Sequence, residues 1–171
     1  MTTKTRVTEP LREEHRDLWP HLQEVAALAA DLDEWTGESA GRLREVVAFL
    51  RSHLVPHAQA EEAVLYPEYE RVQGSPGSTD TMAADHVEIV RRIEELEVLA
   101  AEGAAARPGA GRLETLRARL YGLDAILALH FAKEEEVLLP ALDEKLSEDE
   151  AAELFRAMGH VAHGGGHGEA R

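Results

Sequence analysis

One eleven-residue stretch occurs twice in this chain and decides the fold. Residues 57–67 read HAQAEEAVLYP, and residues 130–140 read HFAKEEEVLLP. A shift of 73 positions places His57 on His130, and the glutamates and the closing proline of each copy then coincide. Self-similarity at a fixed period indicates one structural unit used more than once. The sequence therefore predicts two copies of a helical hairpin.

The segments around these stretches have apolar residues spaced by three and four, which is typical of amphipathic helices. A shift of 71 aligns the two segments that precede the repeats and places His15 on His86. The apolar stripes run over residues 11–32, 43–64, 82–99 and 113–137. We expect Thr8 to cap the first helix, and the second and fourth helices to end near Pro67 and Pro140.

Short breaks rich in Gly, Pro and Ser separate the four segments, and their sequences are WTGESAG, QGSPGST and GAAARPGAG. Short connections make successive helices antiparallel neighbours. The predicted fold is an all-α, up-down antiparallel four-helix bundle over residues 1–146. SEDE at Ser147 predicts a capping box that starts a short fifth helix over 147–159, followed by a flexible Gly/His tail over 160–171.

The composition narrows the classes of partner. The chain of 171 residues has 33 acidic and 18 basic residues, and its net charge of -15 disfavours binding to nucleic acid or to an anionic membrane surface. Cysteine is absent, which excludes disulfides and thiolate ligands. The sequence contains neither an apolar signal segment nor an 18-residue apolar run, so we expect a soluble cytoplasmic protein.

Each repeat contains HxxxE, which places an imidazole and a carboxylate one turn apart on the same helix face. Both pairs lie on the apolar stripe, and burying a carboxylate without a partner costs several kcal/mol. One such motif is common on helices, but the repeat places two pairs and two upstream histidines in register. Nitrogen and oxygen donors without thiolate suit iron, manganese or zinc. The predicted ligands are His15 and His57 on one ion, His86 and His130 on the other, and Glu61 and Glu134 as bridges.

The pattern H…HxxxE…H…HxxxE, with EExxLxP in each repeat, resembles the hemerythrin HHE cation-binding family over roughly residues 8 to 142. The resemblance implies a bundle with two non-haem iron ions (Fe2+/Fe3+), and an oxo or hydroxo bridge is expected because metal ions acidify bound water. It also implies a small ligand, namely O2, peroxide or NO. Oxygen-carrying hemerythrins have HxxxH on the third helix and HxxxxD on the fourth. Here Val90 follows His86 by four positions, which favours the four-histidine form of the repair and other bacterial members over oxygen carriage.

Four functions follow from these observations. The leading hypothesis is a di-iron protein that binds or reacts with O2, peroxide or NO. The alternatives are a sensing module without turnover, a peroxide-consuming (catalase-like) enzyme, and an iron donor for iron–sulfur repair. A structural bundle with zinc or no metal is the least specific interpretation, and no protein partner follows from the sequence.

Several residues near the predicted ligands allow more than one interpretation. His53 has no repeat counterpart, and it is interpreted as solvated or as a partner of a ligand. Surface placement is expected for Glu14 and Asp85. Ordinary packing is expected for Tyr66, with a hydrogen bond to a bound oxygen species as the alternative, and disorder is expected for the tail histidines, with weak metal binding as the alternative. Those tail residues are His160, His163 and His167.

Overall fold

The computed structural model describes residues 6–105 and 107–164, and within them it contains five helices and no strand. The first helix is Glu9–Asp31, the third is Asp80–Ala105 and the fifth is Glu148–Gly164. The second helix, residues 37–73, consists of Gly37–Phe49, Leu50–Leu54, Val55–Ala60, Glu61–Leu65 and Tyr66–Gln73. The fourth helix, residues 110–145, consists of Ala110–Lys133, Glu134–Leu138 and Leu139–Lys145.

The helices pack as a bundle in which the first and third helices each contact both the second and the fourth. Two buried apolar clusters fill the interior. One contains Leu18, Leu54, Ile89 and Leu127, and the other contains Leu11, Ala60, Met82 and Leu138. On every helix of the bundle, one predicted ligand histidine lies between a residue of the first cluster and a residue of the second. A polar layer therefore separates the two apolar clusters.

The second and fourth helices continue past Pro67 and Pro140, so the prediction that they end there is wrong. A π-helical segment precedes each proline, at Glu61–Leu65 and at Glu134–Leu138. Proline lacks an N–H and its ring clashes with the carbonyl four residues earlier, and a wider turn accommodates both effects. Each predicted bridging glutamate is the first residue of such a π segment, and π turns are frequent at functional sites.

The two hairpins are tied together by matching contacts at the starts of the first and third helices. The Thr8 N–H and hydroxyl both donate to Asp143 Oδ1, at 2.9 and 3.0 Å. The Thr79 N–H and hydroxyl both donate to Glu70 Oε1, at 3.1 and 2.6 Å. Thr8 stands at the predicted N-cap position, but its hydroxyl binds the fourth helix instead of capping its own helix.

The predicted capping box of the fifth helix is present, because the Ser147 hydroxyl accepts from Glu150 N and Ser147 N donates to the Glu150 carboxylate. This helix packs on the second helix and runs to Gly164, five residues beyond the predicted end. Burial of Leu154 and Met158 offsets the roughly 1 kcal/mol cost of an internal glycine. His167 lies outside the described residues. None of the described helices has the length and apolar character that a bilayer crossing requires.

Candidate metal centre

The structure brings all six predicted ligand side chains into the polar layer between the apolar clusters. They come from four different helices, and each is at most 7% exposed although each is polar. The residues are His15, His57, Glu61, His86, His130 and Glu134. Six titratable side chains buried together require compensation from one another or from a cation.

The first group of donors lies between the first and second helices and the two glutamates. Glu61 Oε1 lies 3.0 Å from His57 Nε2 and 3.7 Å from His15 Nε2. Glu134 Oε2 lies 3.6 Å from the same His15 nitrogen. These four donors lie close enough together to hold one metal ion.

The second group lies between the third and fourth helices and the same two glutamates. Glu61 Oε2 is 3.4 Å from His86 Nε2, and Glu134 Oε1 is 3.4 Å from His130 Nε2. The two Nε2 atoms of His86 and His130 are 2.8 Å apart. Two neutral imidazole nitrogens approach this closely only when a proton or a cation lies between them. Both glutamates belong to both groups, each offering one oxygen to each.

Several donor atoms of the layer have no hydrogen-bond partner although they are buried. They are His15 Nε2, His57 Nε2, both carboxylate oxygens of Glu61 and Glu134 Oε2. Leaving one buried polar atom unsatisfied costs about 1–3 kcal/mol. Five such atoms around one small volume fit a site for cations, because cations would satisfy them all.

A ring of four carboxylates surrounds the histidines and fixes their orientation. Each histidine directs Nδ1 to a carboxylate that comes from a neighbouring helix of the bundle. The pairs are His15 with Glu135 at 2.7 Å, His57 with Glu14 at 3.3 Å, His86 with Glu62 at 2.9 Å and His130 with Asp85 at 3.2 Å. A carboxylate that accepts the Nδ1 proton leaves the Nε2 lone pair free for a metal and makes it more basic.

The sequence interpretation placed Glu14 and Asp85 on the surface, and the structure gives both an additional role. The Asp85 side chain is 19% exposed and bonds His130, so surface placement is wrong for it. The Glu14 side chain is 60% exposed and still reaches His57. Both residues precede a ligand histidine in their copy of the repeat, and this shared position was the available signal.

Two of the four ring carboxylates also form an ion pair with an Arg or Lys side chain. Arg12 pairs with Glu135 and also contacts Asp143 at 3.3 Å, while Lys133 pairs with Asp85. Among the described residues, no ion pair with Lys or Arg involves Glu14 or Glu62. The third and fourth helices therefore each offer the centre a carboxylate that is paired with Lys or Arg, whereas the first and second helices do not.

Interactions between carboxylates and imidazoles outweigh the effect of burial on the pKa values of His57 and Glu61 when no metal is bound. Burial lowers the pKa of His57, but the carboxylates of Glu61 and Glu14 outweigh burial and raise it to about 10. Burial raises the pKa of Glu61, but the surrounding imidazoles hold it well below its usual value. His57 and Glu61 therefore both favour their charged forms, and such a pair can exchange its proton for a metal ion.

Tyr66 lies in the centre, contrary to the interpretation that it only packs. Its hydroxyl donates to Glu134 Oε1 at 3.1 Å and lies 3.2 Å from His86 Nε2. Burial and the charges of Glu61 and Glu134 raise its pKa far above the usual value, so the phenol stays protonated. The repeat counterpart of Tyr66 is Leu139, so repeat matching could not find this residue.

The other histidines of the described residues do not join the layer. Among the described residues, only the six predicted ligands form clusters able to hold a metal. His53 is exposed, approaches the Ser52 hydroxyl at 2.8 Å through Nδ1 and stacks on Phe49. His163 lies on the fifth helix with Nδ1 2.8 Å from Gly159 O, so it belongs to a helix and not to a disordered tail.

A small enclosed cavity of about 10 Å³ adjoins the layer. Its walls include His57, His86 and His130, and its apolar side is formed by Leu54, Val55, Ile89, Val90 and Phe131. A space of this size admits about one water-sized molecule. Any exogenous ligand that enters from this side is therefore small.

A bundle whose buried layer holds paired His/Glu groups defines the chain as a helical cation-binding protein. The sequence matches the Hemerythrin HHE cation binding domain over residues 6–142. The chain therefore belongs to the hemerythrin HHE cation-binding family, as the motif pair predicted. No curated protein and no solved structure matches the chain.

Proposed function

We propose that this protein holds two iron ions in the buried layer and binds or reacts with O2, peroxide or NO. His15 and His57 bind one ion, His86 and His130 bind the other, and Glu61 and Glu134 bridge the two. The two donor groups that share Glu61 and Glu134 carry this proposal, and five buried donor atoms of the layer without a hydrogen-bond partner support it. We also infer an up-down order of the four helices, which their short connections support.

Two bound irons would supply Fe(II)/Fe(III) chemistry and coordination positions that the protein leaves free. The chain itself contributes an apolar cavity wall, oriented imidazole rings and a hydroxyl group that donates a hydrogen bond. Phe131, Leu54 and Ile89 give the small cavity beside the histidines an apolar wall. The ring carboxylates hold each imidazole with Nε2 towards the centre. Tyr66 keeps an O–H group directed at Glu134.

Metal content and absorption of aerobically purified protein test the proposal. About two irons per chain and near-ultraviolet charge-transfer bands are expected, since each donor group suits one ion. Addition of azide, peroxide or NO under controlled oxygen should then change the bands. Reconstitution with Zn(II) gives the colourless control. If the protein bound stoichiometric zinc and no iron, the proposal would be refuted and the interpretation as a structural bundle would stand.

Peroxide consumption is the second candidate, and Tyr66 favours it. The sequence offered no proton donor, whereas the Tyr66 hydroxyl lies within hydrogen-bond distance of two predicted ligands and can donate a hydrogen bond to a peroxide bound beside them. Sustained loss of hydrogen peroxide, at many turnovers per iron, would support an enzyme. A spectral or structural change on ligand addition without turnover would instead support a sensor. Rapid transfer of iron to a chelator or an apo-cluster protein would support an iron donor.

A further inference from the structure

Two surface pockets flank the first helix, and both reach the buried layer. One pocket, of about 350 Å³, lies between the first, second and fifth helices and has His57 in its wall. The other, of about 470 Å³, lies between the first and fourth helices and has His15 in its wall. We call them the acidic pocket and the arginine pocket, because their charged residues differ.

The acidic pocket is lined by carboxylates and imidazoles and by no Lys or Arg. Its polar groups are Glu14 and Asp17 from the first helix, His53 and His57 from the second and His163 from the fifth, together with the Ser52 hydroxyl. Leu18, Pro56, Ala60, Met158 and Ala162 form the apolar remainder. Carboxylate oxygen and imidazole nitrogen are the donor types of the buried layer itself, and both suit Fe2+.

The arginine pocket has the opposite character. Arg6, Arg12 and Arg16 line it together with Trp19 and one acid, Glu135. The carboxylate of Glu135 is already paired with Arg12 and His15, so this opening offers a divalent cation no free acidic group among its lining residues. Of the two pockets that reach a predicted ligand beside the first helix, only the acidic pocket attracts a cation.

One side chain connects the acidic pocket to the centre. The His57 ring directs Nδ1 to Glu14, 3.3 Å away, and Nε2 to Glu61 Oε1, 3.0 Å away. One imidazole ring therefore separates a carboxylate of the pocket from a carboxylate of the layer. His57 Nε2 itself is buried and has no hydrogen-bond partner.

We infer that the acidic pocket is the port through which Fe2+ enters and leaves the centre, with Asp17, His53 and His163 as transient ligands and Glu14 as the handover to His57. This inference rests on the proposed function. The pocket side chains are largely exposed, and exposed donors bind a cation weakly, which suits transit. Asp17, His53 and His163 come from three different helices, so each can be changed without altering the buried layer.

The test is the rate of Fe(II) uptake by iron-free protein under anaerobic conditions, with free Fe(II) followed by a colorimetric chelator. Asp17→Asn and His163→Ala are each expected to slow uptake about fivefold at low salt, and the double variant more. Final iron content and the absorption of the loaded protein should not change. Release to excess chelator should slow in the same order, because entry and exit share one path.

Asp124→Asn is the matched control, since it removes the same charge from the fourth helix outside either pocket. Slower uptake in the pocket variants alone supports the port. Wild-type rates in the pocket variants, or equal slowing in Asp124→Asn, overturn it while leaving the di-iron proposal intact. If the wild-type protein takes up no iron, both the proposed function and the port are refuted.

Discussion

The two hairpins supply the same donors to the centre but surround them differently. Each brings one upstream histidine, one HxxxE pair, a π turn that begins at the glutamate of that pair, and two ring carboxylates. Lys133, which pairs with Asp85 in the second hairpin, has Ala60 as its counterpart in the first. Tyr66 in the first hairpin has Leu139 in the second. Only the first hairpin's second helix carries the fifth helix and the acidic pocket.

The comparison separates the residues that match between the two hairpins from those that do not, and we assign metal retention to the first set and reactivity to the second. The residues that match are the predicted donors and the carboxylates that orient them. Both hairpins therefore contribute equally to the proposed binding of metal. The asymmetric features are the Tyr66 hydroxyl and the acidic pocket in the first hairpin and Lys133 in the second, and the proposed proton donation and iron loading depend on them. Variants at paired positions therefore test each part of this division.

The largest effect is expected from the bridging glutamates. Glu61→Ala and Glu134→Ala should each weaken iron binding more than about a hundredfold, because each removes a donor from both groups. Iron content after gel filtration measures this loss. Glu45→Ala, at an exposed position of the second helix, is the control. Strong loss from one glutamate and none from the other would refute the bridging assignment.

The ring carboxylates come next. Glu62→Gln and Glu135→Gln should each lower iron affinity about tenfold to a hundredfold, since the lost charge makes His86 or His15 less basic. Glu136→Gln, beside Glu135 and exposed, should have no effect.

The variants Glu62→Gln and Glu135→Gln should also differ in the stability of the iron-free protein. Glu135→Gln should lower the free energy of unfolding by about 2 kcal/mol, because it also removes a charged partner from buried Arg12. Glu62→Gln lacks that loss. Equal urea midpoints for the two variants would mean that the Arg12 contact contributes nothing to the difference.

Tyr66→Phe tests the proton donor. The variant should retain iron but consume peroxide about tenfold more slowly, since one hydrogen bond to a charged group is lost. The band of its azide complex should also shift. Tyr69→Phe, one turn further along the same helix, is the control. Unchanged bands and rates would return Tyr66 to a packing role.

The smallest effect concerns the starts of the second and fourth helices. Thr36 caps the second helix through Ser39 N, whereas its repeat counterpart, Gly109, provides no side-chain cap. Thr36→Ala should cost about 1 kcal/mol. Gly109→Ser should gain about 0.5 kcal/mol, because its extended backbone and open surroundings accept a side chain. Thermal unfolding measures both, and a loss on Gly109→Ser would contradict the capping argument.

Sequence reasoning predicted the helices and the six residues that gather in the polar layer because both leave periodic traces. Apolar spacing predicted the helical stripes, and the repeat predicted that His15 and His86 join the HxxxE pairs. The predicted helix ends at Pro67 and Pro140 were wrong. A proline taken alone indicates the end of a helix, whereas the π turn before each proline lets the helix continue. Sequence reasoning also undervalued Asp85, because a contact to the next helix has no local pattern.

The sequence by itself determined that this chain is a helical HHE-family protein with paired histidines and glutamates on buried faces, since helix periodicity is a local property of the chain. Only the tertiary structure decided which oxygen faces which imidazole, which carboxylate each Nδ1 meets, and which of the donors Tyr66 and the acidic pocket approach. These contacts join residues far apart in sequence. Their geometry depends on how the helices pack, which no single helix encodes.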